Sequence, residues 1–123
     1  MKNEKSSYIL KDSGKRENFK TGARRDIGRG KGRFDLISPF MLKRLADIME
    51  KGAIKYAPRN WELGIPFSRC LDSALRHINQ FIMGYKDEDH LAQAIFNLMA
   101  IIHFQELSRK DLDNLPEYKK NED

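Results

Sequence analysis

Apolar residues recur at helical spacing along three stretches of the chain, and nowhere do they alternate with the two-residue period of a strand. The first stretch opens at Ser38-Pro39, an N-cap type followed by proline in the first turn, and carries Met41, Leu45, Ile48, Met49 and Tyr56 on one stripe that fades near Ala57, ahead of Pro58. The second starts near Ser68, after Gly64-Ile65-Pro66, and stops at Gly84; Leu71, Ala74, Leu75, Ile78, Phe81 and Ile82 form its expected buried stripe. The third begins in the acidic cluster Asp87-Glu88-Asp89, whose charges suit a helix N-terminus, and presents Leu91, Ala94, Ile95, Leu98, Met99 and Ile102 as a broad face to pack on the second. After Ser108 the pattern weakens into Leu112, Leu115 and Tyr118, interrupted by Pro116. The predicted fold is all-α: a small helical bundle of three main helices, with a short C-terminal helix or packed tail over 109–123 and a basic, irregular arm over 1–20 ahead of a single helical domain at 21–108.

Several polar residues interrupt these stripes. Asn97 lies between Phe96 and Leu98, and His90, Gln93 and Asn97 follow one another at spacings of three and four, which predicts an inward polar line on the third helix. On the second helix Asp72 precedes Arg76 by four residues, as in a helix-surface ion pair, and the adjacent His77 fits a hydrogen-bonded structural residue. Asp47 and Glu50, three apart, share a face that is either solvated or metal-binding.

Charge changes the picture of the N-terminal third. The 123 residues carry a formal +5, yet residues 1–33 hold eleven Lys and Arg against four Asp and Glu, so the remainder is slightly acidic. Such an arm suits contact with nucleic acid or a phosphorylated ligand, or serves as a solubilising tail. Residues 1–18 read as mobile, and Thr21–Gly32, with four glycines among Arg24, Arg25, Arg29 and Lys31, reads as a loop; its spacing matches neither a Walker loop nor a dinucleotide fingerprint. The single cysteine, Cys70, excludes an intrachain disulfide and suits a buried side chain in a reducing compartment. No apolar run reaches the length of a membrane span or a secretory signal, so the expected location is the cytoplasm, with no membrane partner. One modest core in a single domain predicts self-association.

Candidate chemistry concentrates in Gly52-Ala53-Ile54-Lys55-Tyr56-Ala57-Pro58-Arg59-Asn60-Trp61, where the first helical pattern breaks. An ammonium, a phenol, a guanidinium, an amide and an indole fall within seven residues. A phosphate with a flat ring attached would use all of them: Lys55 and Arg59 for charge, Tyr56 and Trp61 for stacking, Asn60 for a base or sugar edge. A helix end closing on an aromatic plug would use the same aromatics.

Four segments together, TGARRDIGRGKGRFDLI, EKGAIKYAPRNWELGIP, the pair Arg76-His77 and EDHLAQAIFNLMAI, resemble the phage-borne dATP/dGTP diphosphohydrolase (pyrophosphohydrolase) family over roughly residues 21–105. The resemblance implies removal of pyrophosphate from purine deoxynucleoside triphosphates, and, for a phage-encoded chain, the host cytoplasm. More distantly, CLDSALRHINQFIMGYKDEDHLAQAIFNLMAII is similar to the paired central helices of MazG-like all-α pyrophosphohydrolases, in which clustered carboxylates hold Mg²⁺. On that pattern Asp72 stands at one acidic position, Arg76 at another, Asp89 and His90 at a glutamate pair, and Gln93 at an aspartate. A hard divalent ion wants carboxylate oxygens, so these replacements weaken a metal site while leaving donors for phosphate.

The expected function is therefore purine nucleotide binding, with hydrolysis of dATP or dGTP to monophosphate and pyrophosphate as the activity the resemblance implies. Lys55, Arg59 and Arg76 would neutralise phosphate, joined by Arg24, Arg25 and Lys31; Tyr56 or Trp61 would stack on the base; Asn60, His77, His90 and Asn97 would orient the ligand. A catalytic form would need Mg²⁺ or Mn²⁺ on Asp47, Glu50, Asp72 and Asp89, whereas a non-catalytic binder needs no cofactor. Two alternatives stand beside it: a protein that sequesters a nucleotide signal of bacterial immunity, such as a cyclic nucleotide, and a nucleic-acid-binding accessory protein acting through the arm.

Overall fold

The computed structural model describes residues 8–119; the expectations for the first seven residues and the last four lie outside the described residues. The chain divides into two compact units, residues 1–36 and 37–123.

In the first unit, β1 (Arg16–Asn18) and β2 (Arg24–Asp26) pair antiparallel, with Arg16 opposite Asp26 and Asn18 opposite Arg24. The expected loop thus contains a strand. Both strands are almost wholly exposed, so no face had to be apolar and no alternation betrays them. Exposed ion pairs accompany the backbone ladder: Arg16 reaches Asp12 at 2.7 Å and Asp26 at 2.9 Å. The guanidinium holds the Asp12 carboxyl down at about 2.

The second unit is the helical bundle. Helix α1 (Pro39–Lys55) starts where expected: Ser38 is the N-cap, and its hydroxyl accepts from the Met41 N–H at 3.3 Å. Helix α2 (Phe67–Ile82) ends in a turn in which Gly84 adopts φ +86°, and the Tyr85 N–H donates to the Gln80 carbonyl. Asp89 caps α3 (His90–Glu106) by accepting from Ala92 N–H at 3.1 Å, and the same carboxylate holds Arg44 of α1 at 2.8 Å. After α3 a single 3-10 turn, Lys110–Leu112, folds back so that Leu112 packs on the core. Among the described residues no helix is long and apolar enough to cross a membrane.

The interior differs from the expected stripes. Helix α2 buries Phe67, Cys70, Ala74 and His77, while Leu75, Ile78, Phe81 and Ile82 stay exposed; α3 buries His90, Ala92, Ala94, Asn97, Ala100 and Phe104, while Leu91, Leu98 and Ile102 stay exposed. Both helices carry two adjacent apolar stripes. The one with small alanines lets the backbones approach closely, and its histidines and asparagine satisfy their own hydrogen bonds, so it became the intramolecular interface although the other is richer in large aliphatic groups. The core proper joins Phe67, Cys70, Ala100 and Phe104, with Trp61, Ile65, Ile101 and Leu112 against it.

Candidate functional site

The polar-aromatic stretch after α1 lines a cavity. Lys51 and Lys55 lie one turn apart at the end of the helix, and the Tyr56 N–H closes it by donating to the Gly52 carbonyl at 3.0 Å. Pro58 cannot continue the helix, and Arg59 turns the chain in a left-handed conformation, φ +63° and ψ +16°. That turn starts a 3-10 segment, Asn60–Leu63, which drives Trp61 inward. The indole meets Phe96 edge-on at 5.8 Å between centroids, His103 at 4.8 Å and Phe104 at 6.0 Å.

A cavity of about 430 Å³ opens between this turn, the C-terminal half of α1 and the start of α3. Ile48, Met49, Ile65, Trp61 and Phe96 give it an apolar floor; Lys51, Lys55, Tyr56, Arg59 and Asn60 line its cationic and aromatic side, opposite Glu88 and Gln93. Its size falls within the roughly 300–1,000 Å³ of small-molecule sites. Tyr56 is largely exposed, with the Lys55 ammonium 5.3 Å from its ring centre, so a planar ligand group has an open ring to cover. Arg59 pairs with Glu62 at 2.9 Å, which raises the guanidinium pKa further; the other carboxylate oxygen of Glu62 faces His103 Nε2 at 3.3 Å. Gln93 donates to Glu88 at 3.3 Å, which fixes an acceptor-rich pair facing the lysines.

Five expected ligand residues therefore gather at one cavity: Lys55, Tyr56, Arg59, Asn60 and Trp61. Arg76, His77, His90 and Asn97 lie elsewhere in the second unit. Arg76 bonds Asp72 and Ser73 on the exposed side of α2. His77 and His90 are buried and spend themselves on each other, Nδ1 to Nδ1 at 2.9 Å, while His90 Nε2 meets Asp87 at 2.8 Å. The Asp87 carboxylate only accepts, so His90 carries its proton on Nε2 and takes one from His77 Nδ1. Burial in turn lowers the His77 pKa, and the His90 bond lowers that of Asp87. Asn97 is buried as expected, but its amide donates to the Gln93 carbonyl one turn back at 2.9 Å. The expected line of His90, Gln93 and Asn97 thus divides: Gln93 faces the cavity, while the other two turn inward. Arg24 and Arg25 sit on β2 and Lys31 follows it, all within the first unit.

The four carboxylates expected to hold a metal do not converge. Asp47 is paired with Lys43 at 2.7 Å, Asp72 lies between Arg69 at 2.8 Å and Arg76 at 3.3 Å, Asp89 is taken by Arg44 and the α3 cap, and Glu50 is exposed on α1. Among the described residues no three His, Cys, Asp or Glu side chains are grouped to hold a metal ion. The donor set as arranged does not fit Mg²⁺, which wants several oxygen ligands free of competing cations.

Lys51, Glu88 and Phe96 were not among the expected site residues. A signal for two of them existed: Lys51 precedes Lys55 by one turn, and Phe96 follows Gln93 by three residues on the same helix. Glu88 comes to the cavity only through the α2–α3 turn, which no local spacing encodes.

No curated protein and no solved structure matches the chain. A family model does, the one described as dATP/dGTP diphosphohydrolase, N-terminal, over residues 21–114, a span that holds the whole cavity and all three helices. By that match the chain belongs to the dATP/dGTP diphosphohydrolase family, through the family's N-terminal region.

Proposed function

We propose that this chain binds a purine nucleotide in the cavity between α1 and α3, with phosphate on Lys51, Lys55 and Arg59 and the base against Tyr56 and the open edge of Trp61. The observation that carries the reading is the convergence of three cations and two aromatic rings on an apolar-floored cavity of about 430 Å³. Charge-assisted contacts to each cation contribute about 1.5–3 kcal/mol. The floor excludes water and strengthens them. Hydrolysis of dATP or dGTP to monophosphate and pyrophosphate is the activity the family name supports.

A second reading, capture of a nucleotide without turnover, is favoured by the ion pairing of Asp47, Asp72 and Asp89. Calorimetric titration with dATP, dGTP and cyclic nucleotides, with and without chelator, tests both, together with a pyrophosphate-release assay on the same panel. Binding weakened about tenfold or more by Lys55→Ala supports the site. Pyrophosphate release that a chelator abolishes selects the hydrolase, whereas intact ligand recovered from a chelator-resistant complex selects capture. No binding of any nucleotide in the panel would overturn the proposal.

A further inference from the structure

The cavity between α1 and α3 is lined by three cations and a single carboxylate, Glu88. In a pocket that receives phosphate, a negative charge is unfavourable unless a donor compensates it. The two acidic neighbours of Glu88 are committed elsewhere. Asp87 accepts from His90 Nε2 at 2.8 Å, and Asp89 holds Arg44 while capping α3. The Glu88 side chain has one bond among the described residues, accepted by Oε1 from Gln93 Nε2 at 3.3 Å. A carboxylate only accepts, so this bond also fixes which end of the Gln93 amide points at Glu88. Glu88 Oε2 and the second lone pair of Oε1 are left to accept, and Gln93 keeps one further N–H to donate.

The hydrogen-bonding edges of the two purines differ in what they ask of such a pair. Guanine presents O6, N1–H and the 2-amino group in a row, an acceptor followed by two donors. Two adjacent donors suit the two oxygens of one carboxylate, and the remaining Gln93 N–H is the donor that O6 requires. Adenine presents its 6-amino group and the bare lone pair of N1, which a carboxylate repels. The other lining groups discriminate little: Tyr56 and Trp61 stack on either base, and the Asn60 amide carries both a donor and an acceptor.

We infer that Glu88, held by Gln93, reads the base edge and makes this site select guanine over adenine. The inference rests on the proposed nucleotide site and adds to it the base and the residue that chooses it.

Calorimetric titration of the full chain with dGTP, dITP and dATP, each with and without chelator, tests this on the wild type, Glu88→Gln and Lys55→Ala. The wild type should bind dGTP about tenfold or more tighter than dATP, with dITP, which lacks the 2-amino group, between them. Glu88→Gln keeps the size of the side chain and an oxygen for Gln93, but it replaces one acceptor by a donor. The dGTP affinity should then fall about tenfold while dATP binds as well as before or better. Glu88 is exposed, so the exchange leaves the fold in place, with circular dichroism as the control. Equal affinity of the wild type for dGTP and dATP overturns the inference, as does a preference that persists in Glu88→Gln. In either case weaker binding of both nucleotides by Lys55→Ala leaves the nucleotide site itself standing. No binding of any of the three overturns the site and the inference together.

Discussion

Trp61 is the residue on which core packing and the proposed ligand site meet, and replacing it separates the two. The indole is half-buried, held by Phe96, His103 and Phe104, while its remaining edge lines the cavity. Truncating a fully buried large aromatic to alanine costs about 3–5 kcal/mol; the exposed edge lowers this to about 2–3 kcal/mol for Trp61→Ala. In a domain of this size each kcal/mol moves the midpoint by about 4–8 °C, so Tm should fall by about 8–24 °C. Trp61 is the only tryptophan, so urea unfolding must be followed by circular dichroism in place of fluorescence. Loss of a stacking wall removes about 1–3 kcal/mol of affinity, roughly a five- to 150-fold weaker Kd, measured at a temperature where the variant stays folded. Trp61→Phe should recover more of the stability than of the affinity, because a phenyl ring fills the inner part of the site but does not reach the cavity. A Trp61→Ala protein within about 0.5 kcal/mol of wild type would refute the packing role. Lost stability with unchanged nucleotide affinity would refute the ligand role and return the residue to an aromatic plug.

Gly64 closes the turn below Trp61 at φ +124° and ψ +131°, and an added Cβ would lie 3.3 Å from a Leu112 methyl and 2.9 Å from the mobile end of Arg109. Gly64→Ala should therefore cost about 1–3 kcal/mol, mostly in backbone strain; an unchanged denaturation midpoint would show that the turn relaxes freely. Buried His77 predicts acid sensitivity. Burial holds the folded-state pKa of His77 below its ordinary value, so the unfolded chain takes up the proton first; stability is complete above about pH 6.5 and declines as the pH falls below it. Glu88 and Asp87 oppose this effect on His77, whereas His90 and Arg76 add to it. Urea titrations between neutral and mildly acid pH should show the decline in the wild type and a flatter profile in His77→Gln.

Element boundaries were readable because they are set locally: Ser38-Pro39 starts α1, the Gly84 turn ends α2, and the Asp87-Glu88-Asp89 cluster supplies the cap of α3. Half of the site was readable for the same reason, since Lys55 to Trp61 are contiguous. The faces were not. A stripe of Leu75, Ile78 and Ile82 looks more deserving of burial than one containing Ala74 and His77, and only the partner helix decides between them. Histidines misled in a similar way. His77 and His90 are thirteen residues apart, and nothing in their spacing says that each is the other's hydrogen-bond partner and therefore withdrawn from a ligand. The carboxylates were drawn apart by cations their own helices supply, Lys43 for Asp47 and Arg69 and Arg76 for Asp72. Those pairs are visible as three- and four-residue spacings once they are sought.

Cys70 gives the molecule a chemical clock. It is the single thiol, 1 % accessible, in one cluster with Phe67, Ala100 and Phe104, and burial raises its pKa. An alkylating reagent can reach its sulfur only when α2 and α3 separate, so the labelling rate counts those separations without any introduced probe. A ligand bound between α1 and α3 touches neither Cys70 nor its neighbours on α2, yet whatever tightens α3 against the bundle should slow that clock.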